Sequence, residues 1–282
     1  MAQTDSDACP VSEEAPACMQ TLGVVRHRLD QSKPSDDVVA EECPVALVFN
    51  GISHAVMMAT PADLEAFALG FALSEGIVTN RREIHDLELI CHSDSVEVHL
   101  TIAQAAFLRL KEHRRTLTGR TGCGVCGTES LALLDLQPEK VNAVHAGAID
   151  HTSIQRILAE LPQHQPLTQA TGCAHAAAWC SAQGEILRVF EDVGRHNALD
   201  KLLGWMAGQG IDSGTGLVFL TSRASYELVR KAARMNVPVL ATISAPTALA
   251  IRIAQHAGIR LLSFCRPGGF VEYPLVAEAP AA

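Results

Sequence analysis

Aromatic side chains are scarce in this chain: two tryptophans, two tyrosines and eight phenylalanines make up 4% of it. With 22 basic against 31 acidic residues there is no cationic excess either. The stacking faces interleaved with basic side chains that hold nucleic acid are therefore missing, and nucleic acid is not expected as a partner. No apolar run is long enough to span a bilayer, so no membrane association is expected. The start, MAQTDSDACPVSEEAP, has neither the basic opening nor the apolar core of a signal peptide. These absences predict a soluble, cytoplasmic protein. The nine cysteines are odd in number and lack framework spacing, which fits a reducing compartment and argues against disulfide staples.

What is present suffices for a substantial core. At 282 residues with 48% hydrophobic content, the prior is about two domains. The net charge of −9 is uneven, because residues 1–44 hold nine acids against three bases. Residues 1–40 read as an acidic, partly disordered tail. Residues 41–116 read as a small α+β domain. Val45 to Phe49 and Ile52 to Met58 are apolar runs joined by Asn50-Gly51, a two-residue hairpin signal. Thr60 is placed to cap a helix, with Pro61 at its first position, Leu64, Phe67, Ala68 and Phe71 as its apolar stripe, and Gly76 to close it. Leu87 to Cys91 and Val96 to Thr101 suggest a second strand pair, followed by a helix through Ala103 to Arg114. Residues 117–282 read as an α/β domain that begins with a cysteine loop.

That loop, RTGCGVCGTESL from Arg120 to Leu131, separates Cys123 from Cys126 by two small residues. Glycines around the pair free the backbone, and no large apolar side chain anchors the run, so a mobile, exposed dithiol is the natural reading. Arg109, Lys111, Arg114, Arg115 and Arg120 precede or flank it, with only Glu112 to offset them. Nearby cations favour the thiolate, the nucleophilic form of cysteine. Other readings stay open on these residues. A Cys-x-x-Cys is half of a structural zinc site, although no second pair follows and a site would need scattered ligands such as Cys173 and His175. A thioredoxin-like pair would sit at a strand-to-helix junction, which the basic, helical approach does not supply. Two incidental thiols are the third.

From about residue 215 the pattern becomes βαβαβ. Leu217 to Thr221, Val237 to Ile243 and Ile259 to Phe264 are short apolar runs, with helical spacing at Tyr226 to Met235 and Thr247 to His256. Parallel sheets of this kind bind ligands beyond their strands' carboxyl ends. Those ends carry Ser222 and Arg223, then Ser244, Ala245 and Pro246, then Cys265, Arg266, Pro267, Gly268 and Gly269. Small residues and two arginines suit a phosphate-rich ligand; tight turns with solvated arginines explain the same residues equally well.

Two further segments stand between loop and sheet. Thr171-Gly172-Cys173-Ala174-His175 enters an alanine-rich run, and Gln183-Gly184 divides two strand-like stretches. The second stretch ends in EDVGRHNALDKLLG, Glu191 to Gly204, where one turn at a helix start brings Asp192, Arg195 and His196 together ahead of an apolar face of Leu199, Leu202, Leu203 and Met206. Capping explains much of this, and His175 alone reads as a hydrogen-bonded structural histidine.

Together, MATPADLEAFALGFALSEGIV at 58–78, GCGVCGTESL at 122–131, TGCAHAAA at 171–178, EDVGRHNALDKLLG at 191–204, TSRASYELVRKAA at 221–233 and FCRPGGF at 264–270 closely resemble the formate dehydrogenase accessory family, FdhD. The resemblance runs from about residue 41 to 274. It implies an α/β fold, with a larger cytidine-deaminase-like three-layer domain and a smaller α+β domain, assembled as a homodimer. The deaminase chemistry itself is not expected, since no His-x-Glu precedes the cysteine pair and no proline directly precedes Cys123.

The resemblance also implies a sulfurtransferase that takes persulfide sulfur from a cysteine desulfurase. Its sulfur goes to the molybdenum cofactor, Mo-bis-molybdopterin guanine dinucleotide, before insertion into formate dehydrogenase. The persulfide of the family falls here on Cys123, with Cys126 as the second cysteine. The cofactor, which a guanine nucleotide such as GDP would mimic, falls on Phe264, Cys265, Arg266, Pro267, Gly268 and Gly269, and Arg223 and Ser244 at the neighbouring strand ends join that set as phosphate contacts. The alternative is a non-enzymatic cofactor-binding chaperone whose Cys-x-x-Cys is a docking or zinc site.

Overall fold

In the computed structural model, residues 11–12, 16–29, 31–115, 136–142 and 149–275 are described. The chain opens with β1 (Val11–Ser12), β2 (Met19–Arg28) and β3 (Gln31–Ala40). It continues through β4 (Cys43–Phe49), β5 (Ile52–Ala59), α1 (Leu64–Ser74), β6 (Ile84–His92), β7 (Val96–Ile102) and α2 (Gln104–Arg115). Four of these strands and β1 form a sheet in the order β1-β6-β7-β4-β5. The β4–β5 hairpin turns at Asn50 and Gly51, whose φ of 45° and 78° are the two left-handed positions a two-residue turn of matching twist requires. Val45, Leu47 and Phe49 of β4 alternate inward with Val96, Val98 and Leu100 of β7, and α1 and α2 cover them.

Two sequence expectations are corrected here. Met19–Ala40 is not a tail but a hairpin of ten-residue strands, β2 paired to β3 antiparallel along their whole length. Most of its side chains are exposed, on both faces, so no alternation of apolar and polar residues marked it. Helix α1 begins at Leu64 with Asp63 before it at φ 54°, rather than at Thr60 and Pro61. Thr60 has other work. It is buried, its hydroxyl accepts from Val193 N–H, and its amide donates to Asp192.

The second unit contains α3 (His151–Glu160), α4 (Pro166–Thr171), β8 (His175–Ser181), β9 (Ile186–Asp192), α5 (Arg195–Gln209) and β10 (Gly216–Leu220). It is completed by α6 (Tyr226–Arg234), β11 (Val239–Thr242), α7 (Ala248–Ala257), β12 (Arg260–Arg266) and β13 (Gly269–Tyr273). Its sheet runs β13-β12-β11-β10-β8-β9, with β10, β11 and β12 parallel as the βαβαβ pattern predicts. Both faces are covered. Val218, Leu220, Leu240 and Leu261 pack with α5, α6 and α7, whereas Leu217, Phe219, Val239, Ala241 and Leu262 pack with Ile154 and Ile157 of α3. Burial on both faces is why these strands read as continuous apolar runs.

The two units meet helix on helix. Gly70 of α1 and Gly204 of α5 lie at a crossing so close that a Cβ on Gly70 would stand 1.8 Å from the Asp200 carbonyl oxygen. One on Gly204 would stand 1.9 Å from that of Ala66. Backbone touches backbone there. Beside the crossing, Lys231 of α6 bonds Asp200 of α5 at 2.8 Å, Glu75 at 2.7 Å and Ser74 at 2.9 Å, and Arg230 bonds Glu75 at 2.7 Å. Burying charges is costly unless each is paired and hydrogen-bonded, and here two cations meet two carboxylates. The two cations hold Glu75 far below the usual carboxylate range, against the opposing effect of its burial. Among the described residues no helix is long and apolar enough to cross a membrane.

Candidate functional site

Parallel pairing brings the carboxyl ends of β10, β11 and β12 to one edge of the sheet, here termed the crest. Backbone bonds hold its turns together: Ile243 N–H donates to Leu220, Thr247 N–H to Ala224 at 3.0 Å, and Phe264 N–H to Ser244 at 3.3 Å. Because β8 runs antiparallel to β10, its first residue, His175, and the last residue of β9, Asp192, arrive at the same edge. The first turn of α5 follows directly. The crest is thus where Arg223, Ser244 and the 264–269 segment, named separately from the sequence, come together.

Each of those residues has a distinct setting. Phe264 takes φ 53°, a left-handed backbone that is a genuine outlier for a bulky residue, and the residue is 42% exposed. The strain arises where the β12–β13 register shifts between Ser263 and Arg266. Pro267 and Gly268, the latter at φ 103°, then make a two-residue turn between the paired Arg266 and Gly269. A Cβ at Gly268 or Gly269 would meet no atom within 4 Å, so this backbone lies open to an approaching ligand. Arg223, Arg266 and Pro267 are exposed and Ser244 is half-buried. From the opposite face of the sheet, Gln155 donates to the Arg266 carbonyl at 2.9 Å. Cys265 is buried, and that burial pushes its thiol up to about 11. It packs; it does not present a nucleophile.

The same holds for other cysteines. Cys43 is pushed to about 11 by burial, and Cys18 and Cys180 are raised by the same cause. A thiol in that range is almost wholly protonated near neutrality and is a poor nucleophile. Cys173 is exposed, and neither it nor His175 belongs to a group of three or more ligands able to hold a metal ion among the described residues. Cys123 and Cys126, the residues named for the chemistry, lie outside the described residues.

The Glu191–Gly204 segment divides into roles that sequence reasoning did not separate. Glu191 accepts from Leu167 N–H at 2.8 Å and Thr168 N–H at 2.9 Å, capping α4. Asp192 turns inward, accepting from Thr60 N–H, Gly194 N–H and Asn197, and pairs with Lys201 at 2.7 Å where neither side chain is exposed. Lys201 also donates to the Thr60 carbonyl at 3.1 Å, and Asn197 to that of Met58 at 2.8 Å. These residues join the first turn of α5 to the smaller unit. The signal for Asp200 and Lys201 was legible as two charges inside the apolar run LDKLLG, but the partners of Asp200, Ser74 and Lys231, lie far away in sequence. Asp192 therefore leaves the predicted trio, and Arg195 and His196 remain at the crest.

His196 Nε2 stands 3.8 Å from Glu227 Oε2, with both side chains largely buried. The adjacent imidazole holds the Glu227 carboxyl down at about 2. His175 is driven the other way, made less basic by burial and then by the charges of Arg195 and His196.

Comparison with known proteins bears on the family and the fold. Residues 40–275 match the FdhD/NarQ family. A Chromobacterium violaceum relative named sulfur carrier protein FdhD is 63% identical over 257 residues, covering 90% of this chain and 95% of its own. A Burkholderia mallei relative of the same name is 55% identical, covering 92% and 96%. The fold is similar to the crystal structure of a Desulfotalea psychrophila protein described as a candidate formate dehydrogenase accessory protein, with TM-score 0.69, 23% identity and coverage of 93% and 98%.

Proposed function

The chain belongs to the FdhD/NarQ family, and on that premise we propose that it is a sulfur carrier required for formate dehydrogenase activity, passing persulfide sulfur from a cysteine desulfurase to a molybdenum-bound guanine dinucleotide. The relatives named sulfur carrier protein support the first half of this reading. The observation that carries the second half is the crest, where a strained, exposed phenylalanine adjoins open glycine backbone and two exposed arginines.

In this reading the Cys123 thiolate attacks the outer sulfur of the desulfurase persulfide. The donor's S–S bond breaks, its own thiolate leaves, and a new S–S bond forms on Cys123. Cys126 then either receives the outer sulfur or attacks the inner sulfur of Cys123, forming a disulfide and releasing the carried sulfur as hydrosulfide. The dinucleotide is the substrate at the crest. Phe264 offers a ring face for stacking a guanine, Arg223 and Arg266 offer charge-assisted hydrogen bonds to phosphate, and Ser244 and the amides of Gly268 and Gly269 complete the contact. The protein acts in the cytoplasm as a homodimer, handing the loaded cofactor to formate dehydrogenase.

The test is intact mass spectrometry after incubation with a cysteine desulfurase and cysteine. Wild type gains sulfur that reductant removes, and Cys123→Ala gains none while still folding. Equal loading of Cys123→Ala, or no loading with zinc bound at the cysteine pair, rejects the persulfide role.

A further inference from the structure

Two buried hydroxyls lie beneath the crest at neighbouring positions of parallel strands. Thr242 ends β11, Ser263 lies on β12, and neither residue has any exposed surface. The Ala241–Leu262 pairing sets them side by side, with Thr242 Oγ1 2.8 Å from Ser263 Oγ. Thr242 Oγ1 also bonds the Ser244 carbonyl at 3.0 Å. A carbonyl can only accept, so the one hydroxyl proton of Thr242 goes to Ser244, and the Ser263 hydroxyl donates to Thr242 Oγ1. The Ser244 carbonyl accepts a second bond, from Phe264 N–H at 3.3 Å.

These bonds close a ring that runs from the Ser263 hydroxyl through Thr242 to Ser244, on to the Phe264 amide, and back along the chain to Ser263. The backbone of Phe264, at φ 53°, begins inside that ring. A bulky residue keeps such a conformation only where its surroundings over-determine it. The ladder with β13 does not reach it, passing from the Ser263–Val271 pair to Arg266–Gly269. Restraint therefore comes from the β11 side. The Ser244 turn is a firm anchor, since Ile243 N–H bonds Leu220 and Thr247 N–H bonds Ala224 on either side of it. Packing alone does not require hydroxyls here: Val, Leu and Ala fill the rest of β11, and β10 holds no polar side chain.

We propose that Thr242 and Ser263 are positioning residues for the nucleotide ligand, their hydroxyl relay holding Phe264 in its left-handed conformation against the Ser244 turn so that the ring is set for the base before the ligand arrives. This rests on reading the crest as a nucleotide site. Preorganisation of this kind raises affinity by taking an ordering cost out of the binding step. Both side chains are buried, so they act through Phe264 and not by touching the ligand.

Calorimetric titration of the full chain with guanosine diphosphate and, separately, with inorganic pyrophosphate tests this. Thr242→Val combined with Ser263→Ala removes both hydroxyls and strands neither, so the fold is kept, as urea unfolding would verify. Guanosine diphosphate affinity falls about fivefold or more in this double variant, while pyrophosphate, which has no base to stack, stays within about twofold of wild type. Ser263→Ala alone, which leaves the Thr242–Ser244 bond in place, gives a loss of about threefold in the same sense. Thr242→Ser keeps the relay and with it the wild-type affinity. In a Phe264→Gly background the double variant has no further effect, because the residue it positions is gone. If guanosine diphosphate affinity is unchanged in the double variant while Phe264→Gly weakens it, the proposal is overturned and the nucleotide reading stands. An equal loss with and without Phe264 overturns it as well. If wild type binds neither ligand, both readings fall together.

Discussion

Helix α5 treats polar groups in two opposite ways along its length. In its body, Asp200 and Lys201 are buried with every charge matched: Asp200 to Lys231 and Ser74, Lys201 to Asp192 and two carbonyls. In its first turn, Arg195 keeps a buried Nε without a partner among the described residues, and across the crest the exposed Phe264 holds a strained backbone. The contrast separates what holds the two units together from what the proposed function assigns to a ligand. A satisfied buried network fixes one docking geometry, whereas unsatisfied donors and local strain persist where binding supplies the compensation.

The docking side breaks most severely at the helix crossing. Gly204→Ala forces a methyl group to within 1.9 Å of the Ala66 carbonyl oxygen, which only separation of α1 from α5 relieves. A loss of about 4 kcal/mol or more is expected in urea unfolding, at the upper end for one substitution. A loss under about 1 kcal/mol would mean that the crossing is loose. Next comes Lys231→Met, which leaves Asp200 and Glu75 facing each other in a buried site. It should cost about 3–5 kcal/mol, and Asp200→Leu added to it should restore part of that.

A smaller effect sharpens the same side. Glu75 has its folded-state pKa depressed, chiefly by Lys231 and Arg230 against the opposing effect of burial. Its contribution is therefore fully present above the unfolded-state value, near 4.5, and is lost as pH falls below it. Urea midpoints measured from neutral pH into the acid range should decline less steeply in Glu75→Gln than in wild type. Identical slopes would remove Glu75 from the account.

Much of this frame was readable in advance, for physical reasons that stop at identifiable places. Asn50-Gly51 announced the β4–β5 hairpin, because few other residue pairs tolerate two successive left-handed conformations. The apolar runs at 217–221, 237–243 and 259–264 announced the parallel strands, since a sheet covered on both faces needs no alternation. The β2–β3 hairpin was not readable, because strands exposed on both faces carry no hydrophobic period. Nor was the start of α1, where Thr60 looks like a cap but is drawn to Asp192, 132 positions away in sequence. At the crest, Arg223, Ser244 and residues 265–269 followed from counting strand ends, and Phe264 from the family resemblance alone. The roles of Asp192, Lys201 and Glu227 did not, because their partners lie on other elements. The strain at Phe264 has no local signature, since it comes from a register shift between β12 and β13.

The most direct measurement pairs two readouts on Phe264→Gly, a change that relieves the left-handed strain and removes the ring. Unfolding free energy should stay within about 1 kcal/mol of wild type, because relief of strain offsets the lost ring contacts. Guanosine diphosphate affinity should fall about tenfold, the loss expected for a missing base-stacking face. Affinity equal to wild type, with stability lowered by about 2 kcal/mol or more, would contradict the account and make Phe264 a part of the scaffold.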